Sequence, residues 1–108
     1  MPRFVILRHE IRPGSDRGSH FDLMLEIGGM LRTWSLSERP AAGKVIQAGA
    51  LPDHRLAYLD YEGPVSGNRG SVSRVEEGQN GVLADSAGLL QVKLAGKSLR
   101  GILQLRQV

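Results

Sequence analysis

His9, His20, Asp22 and His54 are the residues of this chain with the widest chemical reach. His20 and Asp22 stand one residue apart in His20-Phe21-Asp22-Leu23-Met24-Leu25-Glu26-Ile27, and His9 follows the apolar run Phe4 to Leu7. Residues i and i+2 of a strand share a face, so His20 and Asp22 point the same way, roughly 7 Å apart along the chain. Phe21, Leu23 and Leu25 then face the other way, into the main core, and leave the two polar side chains where a pocket or barrel mouth can form. His9 ends the preceding strand, and Pro13, Gly14 and Gly18 mark a loop through which the chain can return alongside it. Two imidazoles and one carboxylate make a three-ligand set with open positions for water and substrate, suited to a divalent ion such as Mn²⁺ or Zn²⁺. On spacing alone, a His-x-Asp pair on a strand is more often a surface hydrogen-bonding pair than a metal site.

The third histidine belongs to Pro52-Asp53-His54, which reads as a turn, and it precedes Tyr58 by four residues at the start of a predicted strand. In that strand Leu56, Tyr58 and Asp60 share a face. An imidazole and a phenol so placed can contact the non-bridging oxygens of a phosphate. A turn histidine beside a half-buried tyrosine whose hydroxyl finds its own partner fits the same residues.

The elements that must position these groups are short strands. Period-2 alternation over Phe21 to Ile27, the pair Gly28-Gly29 and the extended stretch Met30 to Leu36 predict an antiparallel hairpin. Leu90, Val92 and Leu94, a turn at Gly96-Lys97, and Leu103 and Leu105 predict a second one near the C-terminus. Arg3 to Arg8, Leu56 to Tyr61 and Gly70 to Val75 are further predicted strands. Ser37 to Gly49 reads as a long surface loop, and Ala48 to Leu51 as at most one helical turn before Pro52. Seven or so short strands with turns at this spacing, and no capped 3.6-residue stripe, predict a mainly β fold. The expectation is a small compact antiparallel β-barrel (or a sandwich) with little helix, as one domain over residues 1–108.

Composition bounds the chemistry from another side. The 108 residues are 41% apolar and 23% charged, with a net charge of +3, and this weakly favours polyanionic partners. There is no cysteine, so disulfides and thiolate zinc sites are excluded and any metal must sit on nitrogen and oxygen. Phe4 to Leu7 is too short for a signal-peptide core or a membrane span. A cytoplasmic protein with no membrane partner is expected.

Several motifs recur in a fixed order. They are Phe4-Val5-Ile6 leading to His9, then His20-Phe21-Asp22-Leu23-x-Leu25-Glu26, and Gly29-x-Leu31-x-x-Trp34. Asp53-His54-x-Leu56-x-Tyr58-x-Asp60-Tyr61-Glu62-Gly63 follows, and Gly96-x-x-Leu99-x-Gly101-x-x-x-Leu105 closes the series. In this combination the chain resembles the phosphoesterase module at the N-terminus of bacterial DNA ligase D, which also occurs as a stand-alone domain. The resemblance implies a compact β-barrel and a Mn²⁺-dependent activity, with Zn²⁺ or Co²⁺ as possible substitutes. Its substrates would be the 3′ ends of DNA or RNA/DNA strands, in repair by non-homologous end joining. A terminal ribonucleotide or 3′-phosphate would be removed to leave a 3′-hydroxyl fit for a DNA ligase or polymerase. By the same resemblance His9, His20 and Asp22 bind the metal, while His54 and Tyr58 act on the scissile phosphate.

The departures from the family pattern are concentrated in its phosphate clamp. Met24 stands where the family usually has arginine, Ile46 occupies a second family arginine position, and Leu7 replaces a glutamine. Arg55 replaces the proline of Asp-His-Pro, and Arg69 the tyrosine of a glycine-flanked turn. Losing a charge-assisted phosphate contact in a dry site costs roughly 10²–10³ in rate. Arg32, Lys44, Arg55 and Arg69 are the candidates to replace it, each of them equally well read as a solvated cation of a basic protein. The alternative function is therefore a catalytically weakened module that binds a metal and a strand end and recruits a ligase or polymerase. A phosphoesterase for RNA ends or a small phosphorylated metabolite is another reading.

Overall fold

Alternation builds the first hairpin of the computed structural model, which describes residues 2–11, 19–65 and 70–107. Phe4 and Ile6 of β1 (Arg3–Glu10) and Leu23 and Leu25 of β2 (His20–Ile27) fall on one face, and Val5, Leu7 and Met24 on the other. The expected loop through Pro13, Gly14 and Gly18 lies outside the described residues. Gly28 and Gly29 take φ of +64° and +82°, a pair of values that suits a tight hairpin turn and that glycine adopts without a Cβ clash. They join β2 to β3 (Met30–Leu36), as the sequence predicts.

Several expectations after β3 need correction. The loop ends at Gln47, because Ala48 and Gly49 pair with Leu36 and Ser35 to begin β4 (Ala48–His54). The residues read as a possible helical turn, and the Pro52-Asp53-His54 segment read as a turn, are thus strand. β4 lies at one end of the sheet order, and an edge strand tolerates the missing N–H of Pro52. The segment predicted as a strand from Leu56 to Tyr61 is instead a 3₁₀ turn, Leu56–Leu59, held by Tyr58 N–H to Arg55 O at 3.1 Å and Asp60 N–H to Ala57 O at 3.3 Å. The 3₁₀ turn buries Leu59 and leaves Leu56 exposed.

The remaining strands are β5 (Gly63–Pro64), β6 (Ser71–Ser86), β7 (Leu89–Gly96) and β8 (Arg100–Arg106). All pairings are antiparallel, in the order β4-β3-β2-β1-β6-β7-β8, with β5 on β6. β6 runs well past its predicted end at Val75 because it serves two neighbours, β1 up to Gln79 and β7 from Gly78 onward. Gly78 and Asn80 look like turn residues but act otherwise. A Cβ on Gly78 would come within 2.1 Å of Ala95 O, so glycine permits a close strand approach, and Asn80 Nδ2 donates to Arg3 O.

Phe4, Ile6, Leu23, Leu25 and Leu36 pack with Leu90, Val92 and Leu94 of β7 in one core. Since β7 is not a ladder neighbour of β2 or β3, these contacts require the sheet to curl over, and the fold is an antiparallel half-barrel. A second cluster, Val5, Leu7, Met24, Leu31, Leu59 and Val72, covers the opposite face. His20 and Asp22 therefore do not stand on an unpacked face: they share it with this smaller core.

Glu76 ties the β7–β8 turn to the sheet. Only 3% exposed, its carboxylate accepts bonds from the N–H groups of Glu77, Lys97, Ser98 and Leu99 at 2.7–2.9 Å, and from Ser98 Oγ at 2.6 Å. Burial alone would raise its pKa; the hydrogen bonds from Ser98, Glu77 and Leu99 together outweigh burial and hold it at about 2. A folded-state value below the unfolded one means that this carboxylate stabilises the fold above pH 4.5 and ceases to do so as pH falls toward 2. Glu76→Gln is expected to cost roughly 3 kcal/mol at pH 7. In urea unfolding its deficit should shrink as the pH is lowered from 4.5 toward 2, and a deficit independent of pH would contradict this account.

Candidate metal centre

Strand register brings the ligand set together. In the β1–β2 ladder His9 lies directly opposite His20, and Leu7 opposite Asp22. The His9 and His20 ring centroids are 4.7 Å apart, with the ring planes inclined at 55°. Asp22 reaches both rings: Oδ1 lies 3.1 Å from His20 Nε2, and Oδ2 lies 3.5 Å from His9 Nδ1. One ligand atom from each residue falls within 4.8 Å of the others, and among the described residues this is the group of three able to hold a metal ion.

The donor set fits a divalent ion. An ion bonded at about 2.1 Å keeps its ligand atoms roughly 3–4 Å apart, so the group needs only small side-chain rotations to close on one. Asp22 is 6% exposed, and its buried Oδ1 accepts no hydrogen bond among the described residues while lying 3.1 Å from His20 Nε2. A buried carboxylate oxygen left without a donor is costly, and a cation beside it would remove that cost. Two nitrogens and one oxygen suit Mn²⁺, Zn²⁺ or Co²⁺ alike.

Around this centre the floor is apolar. Met24, two residues beyond Asp22 on the same face, is 2% exposed and packs with Val5, Leu7, Leu31, Leu59 and Val72. The position expected to carry a phosphate-binding arginine is thus part of a closed core. Leu7 is equally buried, and Ile46 packs against the inner core.

His54 ends β4, with its Nδ1 2.9 Å from Pro52 O. A carbonyl oxygen only accepts, so Nδ1 carries the proton and Nε2 is the nitrogen left to work. The His54 ring meets Tyr58 edge-on at 5.3 Å and 82°, and Tyr58 in turn meets Tyr61 at 5.9 Å and 68°. Tyr58 and Tyr61 pack on the same small core as Met24 and Leu7. The acidic residues of Asp60-Tyr61-Glu62-Gly63 hold this segment down. Asp60 binds Arg3 of β1 at 3.0 Å, and the Arg3 guanidinium lowers its pKa. Glu62 accepts from Arg74 N–H at 3.0 Å and from the Arg74 guanidinium at 3.1 Å, which together lower its pKa. Arg74 also reaches Leu59 O at 3.4 Å and Glu77 at 3.1 Å.

The basic candidates are dispersed. Arg32 pairs opposite Leu25 in the ladder, so it belongs to the face away from the His9–His20–Asp22 group; it lies over the Trp34 ring at 5.4 Å and binds Asp85 at 3.3 Å. Lys44 pairs with Glu38 at 3.1 Å in the β3–β4 connection. Arg55 is exposed at the start of the 3₁₀ turn, in the segment that carries His54 and Tyr58. Arg69 lies outside the described residues. Sequence reasoning overlooked Arg3 and Arg74, whose partners Asp60 and Glu62 are distant in the chain and leave no local pattern. It also overlooked Ser35, which the ladder sets opposite Asp22. No helix among the described residues is long and apolar enough to cross a membrane.

Comparison with known proteins gives two findings. The family described as the DNA ligase D 3′-phosphoesterase domain matches residues 12–107, a span that contains His20, Asp22, His54 and Tyr58 and begins just after His9. The multifunctional non-homologous end joining protein LigD of Pseudomonas aeruginosa is 29% identical over 62 residues, covering 56% of this chain and 7% of that longer protein.

Mn²⁺ at a hundredfold excess over its Kd is expected to stabilise the folded protein by about 2.7 kcal/mol. His9→Ala, His20→Ala and Asp22→Ala should each abolish that gain in a thermal melt while keeping the far-ultraviolet spectrum of the folded sheet. An undiminished Mn²⁺ response in any of the three would remove that residue from the centre.

Proposed function

The chain belongs to the DNA ligase D 3′-phosphoesterase domain family, and on that premise we propose that it is a metal-dependent phosphoesterase trimming the 3′ ends of nucleic acid strands. It removes a 3′-terminal ribonucleotide or a 3′-phosphate from DNA or RNA/DNA ends and leaves a 3′-hydroxyl. That product is what a DNA ligase or polymerase requires in non-homologous end joining, so these are its functional partners, and the reading places it in the cytoplasm. Mn²⁺ is the preferred ion, with Zn²⁺ or Co²⁺ as substitutes. The observation that supports this reading best is the convergence of one ligand atom from each of His9, His20 and Asp22 within 4.8 Å of one another, with the Asp22 carboxylate buried.

When bound, a divalent ion supplies Lewis-acid charge to the phosphate and to an attacking water. The chain's own residues do the rest. His9 and His20 would hold the ion through neutral nitrogens, and Asp22, whose two oxygens face His20 Nε2 and His9 Nδ1, would supply the third ligand. His54, with Nδ1 committed to Pro52 O, presents Nε2; as imidazolium it donates a proton to the leaving oxygen or neutralises charge on the phosphate. Tyr58, braced edge-on by His54 and Tyr61, donates its hydroxyl hydrogen to a phosphate oxygen and orients the group. Arg55 is the replacement cation best supported by position, since it lies between His54 and Tyr58 in the chain; Lys44 and Arg32 already have carboxylate partners.

A second reading is favoured by one observation, the burial of Met24 at an arginine position of the family. A domain without that clamp would hold the strand end with little turnover and serve to recruit a ligase or polymerase. Single-turnover assays with excess protein and Mn²⁺, on a 3′-monoribonucleotide primer and a 3′-phosphate strand, separate the two. Product from either strand, absent with His20→Ala, is the expected result. Tight binding without product would establish the recruiting module instead. His54→Ala should lower the single-turnover rate by roughly 10²–10³ with Mn²⁺ affinity nearly unchanged. An equal loss of Mn²⁺ affinity would move His54 among the metal ligands. Binding that weakens steeply with salt is expected of a strand end, and a shallow dependence would indicate a small phosphorylated metabolite.

A further inference from the structure

Between the 3₁₀ turn and β5 the surface opens into a groove of about 420 Å³ lined by Arg55, Ala57, Tyr58, Tyr61, Pro64 and Val65. Its size falls within the roughly 300–1,000 Å³ of small-ligand sites. We propose that this groove is a nucleobase subsite, holding the terminal base of the strand whose 3′ end is processed. The proposal rests on the strand-end phosphoesterase reading above.

The geometry favours a flat, uncharged, π-rich occupant. Tyr58 and Tyr61 stand 5.9 Å apart at 68°, and two rings near a right angle form a corner in which a planar base stacks on one and meets the edge of the other. The corner is preformed. The Tyr61 hydroxyl donates to Pro64 O, and the Tyr58 ring is braced edge-on by His54, so little ordering is left to be paid on binding. Val65 adds an apolar wall and is tied by its N–H to Gly70 O at 2.8 Å. Arg55 sets a cation at the same groove, suited to the adjoining sugar–phosphate or to stacking on the base.

Continuity with the reaction centre identifies the occupant as a base of the substrate strand. Tyr58 belongs both to the groove and to the pair assigned to the scissile phosphate. A phosphate held by Tyr58 therefore leaves its own nucleoside beside the Tyr61 wall. The walls offer faces more than hydrogen-bonding groups, since the Tyr61 hydroxyl is already engaged, so stacking is expected to tolerate any base.

The test uses two 3′-phosphate DNA strands, one ending in 2-aminopurine and one ending in an abasic sugar. In metal-free buffer the base-bearing strand is expected to bind roughly tenfold more tightly, with its fluorescence quenched on binding. Ala57→Trp, which fills the groove from an exposed position, should lower affinity for the base-bearing strand to the abasic level and leave the abasic strand unaffected. Tyr61→Leu should act in the same direction, which covers the case in which the tryptophan variant does not fold. Equal affinity of the wild-type protein for the two strands, or a preference that survives in both variants, overturns the subsite. If Mn²⁺ then drives equal hydrolysis of both strands, the phosphoesterase stands without it. Tight, quenched binding with no hydrolysis would keep the subsite and overturn the phosphoesterase.

Discussion

The register of β1 against β2 is the constraint on which the rest of this structure depends. With His9 opposite His20 and Leu7 opposite Asp22, alternation sends all the candidate ligands to one face and Phe4, Ile6, Leu23 and Leu25 to the other. A slip of one residue would drive the histidine of one strand toward the core and its inward apolar residues out. Hydrophobic burial on the inner face, worth about 25 cal/mol per Å² of apolar surface, therefore enforces the geometry of a polar site on the outer face. The geometry of the candidate metal centre is thus set largely by the apolar residues of the opposite face.

That outer face is itself packed, and its small core joins β1, β2 and β3 to the segment that carries Tyr58 and Tyr61. Leu59, delivered by the 3₁₀ turn, joins Val5, Leu7, Met24, Leu31 and Val72, and the residues on either side of it carry His54, Tyr58 and Tyr61. Asp60 to Arg3 and Glu62 to Arg74 fasten the segment at two points on different strands. Exposed ion pairs add little stability, but here their geometry limits where the tyrosines can sit. The acidic pair of the Asp-Tyr-Glu-Gly motif thus has a positional reason that needs no contact with substrate.

The same packing accounts for how this chain departs from its family. A methionine at a clamp position is a gain to a small core, because its flexible apolar side chain fills space where an arginine would need a partner. On the proposed reading the phosphate then meets less fixed charge, and Arg55, exposed at the groove, is the cation proposed to replace it. At the β7–β8 turn, Glu76 shows the opposite solution to burial: a charge kept ionised by backbone donors that converge on it.

Local pattern alone determined the β class, the hairpin at Gly28-Gly29, the shared face of His20 and Asp22, and the ordered motifs that carry the family resemblance. Those features depend on neighbours in the chain, where period 2 and turn chemistry act directly. Only the tertiary structure decided that Leu56–Leu59 is a 3₁₀ turn, that β6 runs to Ser86, that Ala48–His54 is an edge strand, and that Arg32 lies on the face away from the His9–His20–Asp22 group. In each case the deciding partner is remote. Leu59 needs the β1–β3 face, Gly78 needs the Ala95 backbone, and Pro52 needs an unpaired strand edge. The pairings of Asp60 with Arg3 and Glu62 with Arg74 span 57 and 12 residues, and no window of sequence short enough to show a period can contain the first of them.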